Sequence, residues 1–438
     1  MRMRMFSEDH LTSRQIAALQ QEAWKRTFRH AFARSPFYRE HFQRAGVSPR
    51  KPVAFEHLGR IPTIGKEVLS WNAEAFLCVA QKKIVDIVTT SGSTGKPMVY
   101  MLTESDLQRL ALNEYHSFRC AGLSASDTVV LAVTLDRCFI AGMAYFMGLR
   151  MLGCSIVRVG PATPMMHLEM LQRTRATAIV GVPSFLGLLA DKASEAGLNL
   201  ARLGVRKLIC IGETIRQPDW SLNRAGELLE RRWNARVFST YGNTELAASL
   251  CECEAGRGGH LHPVLLHLET LDDSGQPVPD GQIGELTATT FGVEAMPLIR
   301  YRTGDCAAIF REPCACGRRT LRIGPIIGRK GQKLKLKGTT IFPSTLKAVL
   351  DATPEVKSYV IIARRSENDS DLVEVRFACA GPAKAILGKL RERFQGTAKV
   401  SPELTLAGPA EIESLQMPEG ARKRQFFVDR RENGKAGA

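Results

Sequence analysis

Long apolar runs are missing from this chain of 438 residues. The longest, from Cys138 to Leu149, is bounded by Arg137 and Arg150 and is shorter than the roughly 20 residues that a membrane helix needs. The first residues are basic but turn acidic at Glu8 before any apolar stretch develops, so we expect no secretory signal. These absences predict a protein without a membrane span that stays in the cytoplasm.

Cysteine is also scarce, because 11 residues are too few for a disulfide scaffold and an odd number leaves at least one thiol unpaired. The shares of hydrophobic (44%) and charged (24%) residues are typical of globular proteins and exclude extensive disorder, collagen and coiled coils. The chain is longer than one typical core, so we expect a large domain and a smaller one.

Acidic residues number 44 against 60 basic ones, which gives a formal net charge of +16. No Asp or Glu occurs between Pro313 and Leu350, and basic residues are densest from Arg318 to Lys337. Such a charge favours nucleic acid, an anionic membrane or phosphate-rich small molecules, and charge alone does not choose among them. A solvated strand face is the plainer explanation of the basic segment.

Hydrophobic patterning predicts an α/β protein. Residues 14–45 have the spacing of an amphipathic helix, broken at Ser35-Pro36. Short β-rich runs alternate with helical stretches between Ile84 and Ile211, which predicts a parallel α/β sheet. From Leu265 to Ile309, strands separated by turn residues predict an antiparallel unit.

After Gly328 the pattern changes to short strands and helices, which predicts an α+β segment. We therefore expect a large domain over residues 1–328 and a smaller domain over 329–438.

A run of small, hydroxyl-bearing residues follows the first β-rich segment and reads Ser91, Gly92, Ser93, Thr94, Gly95, Lys96. Backbone N–H groups and hydroxyls in such a turn can wrap phosphate oxygens while the lysine neutralises charge. The run matches neither the P-loop nor the dinucleotide fingerprint. Taken alone, it could equally be a flexible loop.

Three further motifs follow in order: Thr240-Tyr-Gly-Asn-Thr-Glu245, Tyr301-Arg-Thr-Gly-Asp305, and Gly328-Arg329 with Ile341-Phe-Pro343. Together with the 91–97 run, they resemble the motifs of adenylate-forming enzymes, the superfamily of acyl-CoA synthetases, peptide-synthetase adenylation domains and luciferases. Within it, the chain most resembles phenylacetate-CoA ligases. The resemblance implies a large N-terminal domain with parallel α/β sheets and a small antiparallel β unit, followed by a small mobile α+β domain.

The resemblance also implies roles for individual residues. Mg²⁺ would be held by Glu245, and the catalytic lysine would be Lys423, with Arg422 and Lys435 as rivals. Gly331 would take the hinge position. The expected nucleotide-binding and phosphate-binding residues are Ser91, Gly92, Ser93, Thr94, Gly95, Lys96, Tyr241, Gly242, Thr244, Asp305 and Arg329.

The implied reaction is ATP-dependent activation of a carboxylic acid, aryl or arylacetic, to acyl-AMP, followed by transfer of the acyl group to CoA. In the expected acyl pocket, the aromatic side chains of Phe139 and Tyr145 with small neighbours would suit a flat ring, although packing in the protein core explains each residue as well. Asp136 could recognise an amino or hydroxyl substituent. The expected pocket residues are Asp136, Phe139, Tyr145, Ser184 and Gly212.

One histidine and three cysteines have the composition of a structural zinc site: Cys253, His260, Cys314 and Cys316. Cys251 or His262 could replace one of the four. The alternative is a set of cysteines that merely lie near one another.

Two other functions compete with acyl-CoA formation. The adenylate could pass to a carrier-protein thiol or an amine, and the basic surface would suit an acidic carrier protein. A nucleic-acid-binding protein would also be basic, yet the sequence has no recognised binding module or aromatic-interleaved basic segment. We therefore expect the partners to be ATP, CoA and a small acid, with no nucleic acid and no membrane, and leave a homodimer open.

Overall fold

The computed structural model describes residues 11–90, 98–336, 339–366, 371–418 and 424–431. The chain forms two compact units. The first contains Met1–Thr303 and Ala307–Ile326, and the second contains Gly304–Cys306 and Ile327–Ala438.

Local sequence signals set the helices of the first unit. Thr12 and Gln15 form a capping box at the start of α1, and Ser35 caps α2, whose first residue is Pro36. The predicted break at Ser35-Pro36 is confirmed. The α-helices of this unit are α1 (Ser13–Arg34), α2 (Pro36–Arg44), α3 (Lys66–Trp71), α4 (Glu104–Cys120), α5 (Ile140–Leu152), α6 (Pro164–Thr174), α7 (Pro183–Glu195) and α8 (Arg224–Trp233).

The strands up to the end of this unit are β1 (Ile84–Thr89), β2 (Val99–Thr103), β3 (Thr128–Leu131), β4 (Ser155–Arg158), β5 (Ala178–Gly181), β6 (Lys207–Ile211), β7 (Arg236–Asn243), β8 (Ala248–Cys251), β9 (Gly259–His260), β10 (Leu266–Leu271), β11 (Gly284–Thr290), β12 (Tyr301–Ala307), β13 (Ile309–Phe310) and β14 (Arg322–Ile323). Strand β12 runs across the boundary between the units.

The central sheet has the strand order β4-β3-β5-β6-β7-β8. Strands β3 to β7 are parallel, and β8 pairs antiparallel with β7. Helices cover both faces: the core against α6, α7 and α8 includes Leu186 and Trp233, while Tyr145 and Leu149 of α5 pack on the other face. Burial on both faces explains the near-continuous apolar runs of the strands. The predicted α/β sheet is confirmed.

The first predicted strand, Ile84–Val88, does not join this sheet. It forms β1 and pairs antiparallel with β2, with Val88 opposite Tyr100. The connection from β1 to β2 is too short for the crossover that parallel strands require. Assigning this run to the parallel sheet was therefore wrong.

Antiparallel strands follow the central sheet, as predicted. Strands β10 and β11 pair antiparallel from Leu266–Thr290 to Leu271–Glu285. Strand β14 pairs antiparallel with both β9 and β13, which brings His260 opposite Arg322.

The second unit has the predicted α+β character. Its strands are β15 (Gly328–Arg329), β16 (Leu334–Leu336), β17 (Thr339–Ile341), β18 (Val356–Arg365), β19 (Asp371–Cys379), β20 (Glu403–Leu406) and β21 (Phe427–Asp429). Its α-helices are α9 (Pro343–Asp351), α10 (Ala383–Ala398) and α11 (Pro409–Gln416). A sheet of order β20-β19-β18-β21 packs its apolar side chains, among them Val375 and Phe377, against Leu346 and Leu390 of the helices.

Among the described residues, no helix has both the length and the hydrophobicity of a membrane span.

Candidate active site

Several predicted site residues of the first unit lie at the carboxyl ends of neighbouring parallel strands. Asp136 comes after β3, Ser184 after β5 and Gly212 after β6, while Tyr241 lies near the end of β7. Carboxyl ends of parallel strands share one edge of a sheet, which is where ligands bind in open α/β sheets. The topology therefore places these residues along a single edge.

The turn 244–247 connects β7 to β8 and carries Thr244 and Glu245. The Ala247 N–H donates to the Thr244 carbonyl at 3.1 Å and closes the turn. The Leu246 N–H donates to Oδ1 of Asn243 at 2.9 Å. These two bonds fix the backbone beside both predicted functional side chains, so the turn has one defined shape.

Strand β8 lies so close to Gly242 that it leaves little room for a side chain at this position. A Cβ at this position would come within 3.0 Å of the Ala248 carbonyl oxygen and 3.2 Å of the Ser249 Cβ. The glycine in the motif therefore allows close strand pairing. Tyr241, on the preceding residue, is half-buried against the core of the antiparallel strands.

The Glu245 carboxylate is buried and oriented by a neighbouring aromatic residue. The hydroxyl of Tyr301, itself buried, donates to Oε1 of Glu245 at 3.3 Å. Two of the sequence motifs thus meet in the first unit at one hydrogen bond. A single carboxylate of this kind, completed by water and phosphate oxygens, suits Mg²⁺.

Asp305 and Arg329 meet in the second unit. They are register partners on β12 and β15, and Nε of Arg329 lies 3.3 Å from Oδ1 of Asp305. Two of the expected nucleotide-binding residues are therefore neighbours, and the guanidinium of Arg329 orients the carboxylate of Asp305.

Several predicted residues lie outside the described residues. These are Ser91, Gly92, Ser93, Thr94, Gly95, Lys96, and the candidate lysine Lys423 with its rivals Arg422 and Lys435. Their roles stay predictions.

In the expected acyl pocket, Tyr145 is buried and its ring meets Phe118 edge-on with centroids 5.8 Å apart. Phe139 is half-buried and precedes the first residue of α5, while Asp136 is exposed. The hydroxyl of Thr134 donates to Oδ1 of Asp136. Tyr145 thus packs in the core on this face of the sheet, while Phe139 and Asp136 lie at or just before the start of α5, and their part in an acyl pocket stays a prediction.

Ser184 and Gly212 have clear local roles. Glu213 accepts from the Ser184 N–H at 3.0 Å and from its hydroxyl at 2.7 Å, and so caps the first turn of α7. Gly212 has a φ of +73°, which glycine adopts without strain. The Ser184 hydroxyl therefore already has a partner at this edge of the sheet.

The four predicted zinc ligands form one cluster: the ligand atoms of Cys253, His260, Cys314 and Cys316 all lie within 4.8 Å of one another. The Sγ atoms of Cys253 and Cys314 are 3.7 Å apart, and Sγ of Cys316 is 3.5 Å from Nε2 of His260. Two thiolates bound to one tetrahedral zinc at about 2.3 Å lie roughly 3.8 Å apart. The donor set and its spacing fit the ion.

Neighbouring groups orient this cluster. The other ring nitrogen of His260, Nδ1, lies 2.9 Å from the Thr320 hydroxyl, an arrangement that metal-binding histidines commonly show. A hydrogen bond from Cys120, at the end of α4, and contact with His260 lower the pKa of Cys253. The contact of Cys120 could not be predicted, because this residue is far from the other three cysteines along the chain.

The two proposed substitute ligands lie outside this four-residue set. Sγ of Cys251 accepts from the Thr240 hydroxyl at 3.2 Å, and Nε2 of His262 is 3.3 Å from the Ser117 hydroxyl.

The predicted hinge residue, Gly331, is tied to the end of the described chain. The Arg431 guanidinium donates to the carbonyls of Gly331 and Lys333, each at 2.7 Å. It also pairs with Asp371 and Asp429. A guanidinium thus holds this segment within the second unit.

A cleft of about 830 Å³ runs beside α8 and the loop after β8. Its polar lining includes Arg216, Trp220, Arg236 and Arg257, and Arg216 is paired with Glu252 at 2.6 Å. Among the predicted site residues that the structure describes, none lines this cleft.

Sequence reasoning missed a row of buried polar residues on α4. Arg109, Asn113 and Ser117 follow a spacing of four, and Glu114 lies beside them. The Ser249 hydroxyl donates to Oε2 of Glu114 at 2.8 Å, and burial raises the pKa of Glu114 to about 8. Because polar and apolar residues are mixed along α4, nothing in its sequence marks these particular polar residues as buried.

Comparison with known proteins shows which family the chain resembles. The AMP-binding enzyme family matches residues 40–294. Phenylacetate-coenzyme A ligase of Thermus thermophilus is 30% identical over 85% of this chain and 83% of its own length. The Pseudomonas putida enzyme of that name is 27% identical over 91% and 92%. The crystal structure of 2-hydroxyisobutyryl-CoA ligase in the postadenylation state with R3-HIB-AMP has a TM-score of 0.82 at 21% identity, covering 98% of this chain and 95% of that one.

The chain therefore belongs to the AMP-binding enzyme family. It is an AMP-forming acid–CoA ligase, which activates a carboxylic acid as acyl-AMP and then transfers the acyl group to CoA. The family resemblance read from the sequence motifs is confirmed.

The raised pKa of Glu114 makes a pH-dependent prediction. Burial favours the neutral form of Glu114 in the folded protein. The stability that this preference contributes is complete below the ordinary pKa of 4.5 and is lost progressively as the pH rises to about 8. Glu114→Gln stays neutral throughout. The melting temperature of this variant relative to wild type should therefore rise between pH 5 and pH 8.

The measurement is thermal unfolding across this range, with Glu104→Gln, an exposed carboxylate on the same helix, as the control for loss of one charge. A Glu114→Gln difference that stays constant with pH would contradict the prediction.

Proposed function

We propose that the acid is aryl or arylacetic. The observation that supports this proposal is the half-buried ring of Phe139 at the start of α5, after the carboxyl end of β3, with the aromatic pair of Tyr145 and Phe118 in the core against the same helix. Flat aromatic walls favour a flat apolar ligand. Two relatives named as phenylacetate-coenzyme A ligases support the same class.

Charge neutralisation is the main requirement of the first half-reaction, because a carboxylate must attack the α-phosphate of ATP while pyrophosphate leaves. In our proposal, Glu245 holds Mg²⁺, which shields the phosphate charge when bound. Thr244 donates to the α-phosphate, and Tyr241 packs against adenine. Tyr301 keeps the Glu245 carboxylate in its orientation through the 3.3 Å hydrogen bond.

The second unit supplies the remaining groups in this proposal. Asp305 accepts the ribose hydroxyls, Arg329 contacts ribose or phosphate, and Lys423 neutralises the attacking carboxylate. Residues 329–438 change orientation between the two half-reactions, with Gly331 at the hinge. The hydrogen bonds from Arg431 to the carbonyls of Gly331 and Lys333 support the proposal that the residues following the hinge move together with this unit.

In our proposal the acyl acceptor is CoA. The competing acceptors are an amine and a carrier-protein thiol, since the basic net charge would suit an acidic carrier protein. We also propose a cytoplasmic location, as expected from the sequence, and leave a homodimer open.

An acid panel tests the substrate class. Wild-type protein with ATP, Mg²⁺ and CoA should release pyrophosphate faster with phenylacetate and benzoate-type acids than with straight-chain fatty acids of similar size. Labelled acid should then appear in an acyl-CoA thioester. A preference for aliphatic acids would contradict the aromatic pocket, and label transferred only to a carrier protein would contradict CoA as the acceptor.

Replacement of the candidate lysine separates the half-reactions. Lys423→Ala should abolish acid-dependent ATP–pyrophosphate exchange, because the charge on the attacking carboxylate and α-phosphate is no longer neutralised. CoA attack on supplied acyl-AMP should continue.

Lys384→Ala, an exposed lysine on α10 of the same unit, is the matched control and should leave both rates near wild type. Equal loss of both half-reactions in Lys423→Ala would show that this lysine does not act mainly in adenylation.

Zinc has a structural part in our proposal. With Cys253, His260, Cys314 and Cys316 all supplied by the protein, the four positions of a tetrahedral ion are filled, which leaves none for substrate. The ion would connect the loop before β9 to the segment before β14 and stabilise the first unit.

Removal of one ligand tests this role. Cys314→Ser should lose the one zinc per chain that elemental analysis of wild type should find, and should melt at a lower temperature. Cys251→Ser, a buried cysteine outside the cluster, should keep its zinc. Wild-type protein without stoichiometric zinc, or zinc lost from Cys251→Ser and kept by Cys314→Ser, would refute the assignment.

A further inference from the structure

Buried polar side chains of α4 form hydrogen bonds with the backbone of β8, the strand at the edge of the central sheet. Strand β8 is the last strand in the sheet order, and its Ser249 backbone bonds to α4 instead of to a further strand. The Ser249 N–H donates to Oδ1 of Asn113 at 2.6 Å, and the Ser249 carbonyl accepts from the Ser117 hydroxyl at 3.1 Å. A spacing of four places these side chains on one helix face, so the helix runs along the strand.

Arg109, one turn earlier in the same row, reaches the turn that precedes β8. It is 1% exposed, and its guanidinium donates to the carbonyl of Ala247. Ala247 closes the 244–247 turn and has a φ of +46°, which a side chain other than glycine adopts at a cost. The bond to Arg109 is therefore well placed to hold this conformation.

The same guanidinium binds two other segments. It donates to the Phe291 carbonyl at 2.6 Å and to the Leu265 carbonyl at 2.5 Å. The segment after Phe291 leads to Tyr301, whose hydroxyl bonds Glu245. Arg109 thus ties the turn that carries Glu245 to the segment that leads to the residue orienting it.

We propose that Arg109 is a positioning residue for adenylation, which sets the 244–247 turn without touching substrate. The inference rests on the proposed roles of Thr244 and Glu245. Displacement of a functional group by about 1 Å can cost on the order of 100-fold in rate. Loss of the guanidinium should therefore slow the step in which pyrophosphate leaves more than the attack of CoA on preformed acyl-AMP.

The experiment measures both half-reactions on purified, folded protein. Arg109→Met should lower acid-dependent ATP–pyrophosphate exchange by about tenfold or more relative to thioester formation from supplied acyl-AMP. Arg109→Lys keeps the charge but cannot fork to three carbonyls, so its ratio should be intermediate. This variant carries the test if Arg109→Met does not fold.

Leu189→Ala, a core change on α7 on the opposite face of the sheet, is the control for general destabilisation and should leave the ratio unchanged. An Arg109→Lys ratio equal to that of Leu189→Ala would overturn the inference. Glu245→Gln, measured in parallel, should also lose exchange. If Glu245→Gln keeps its exchange activity, the proposed role of the 244–247 turn is wrong. The inference about Arg109 then fails with it, whatever the Arg109 variants show.

Discussion

Three buried backbone carbonyls, those of Ala247, Leu265 and Phe291, accept hydrogen bonds from the guanidinium of Arg109. Buried carbonyls without a donor are costly, so segments distant in sequence must meet where a donor is available. Burial lowers the pKa of Arg109 to about 10, which leaves the side chain charged at neutral pH. The turn with Thr244 and Glu245 depends on this contact, and the candidate nucleotide site depends on the turn.

Much of the fold could be predicted because local chemistry and periodicity agree. The Ser35-Pro36 break, the alternation of strands and helices to Ile211 and the turn residues after Leu265 each have one simple structural explanation. Motif order also predicted the family, since each motif needs its neighbours to form one site. The cluster of Cys253 with His260 and the two later cysteines followed from ligand chemistry.

Long-range contacts could not be predicted in the same way. Strand β1 has the composition of a parallel strand, and only its partner β2 makes it antiparallel. Nothing in the sequence distinguishes Arg109 from the other arginines or Cys120 from the other cysteines. Their significance lies in the packing of α4 against β8 and the cysteine cluster, which no spacing along the chain records. Glu114 shows the same limit, because only burial raises its pKa.

In our proposal, one nucleotide binds beside Tyr241, Thr244 and Glu245. The sharpest test is a crystal structure with a non-hydrolysable arylacetyl-AMP analogue. We expect adenine against Tyr241 and the phosphate mimic within hydrogen-bond distance of the Thr244 hydroxyl. Analogue bound elsewhere, for example in the cleft beside α8, with the 244–247 turn left empty, would contradict it.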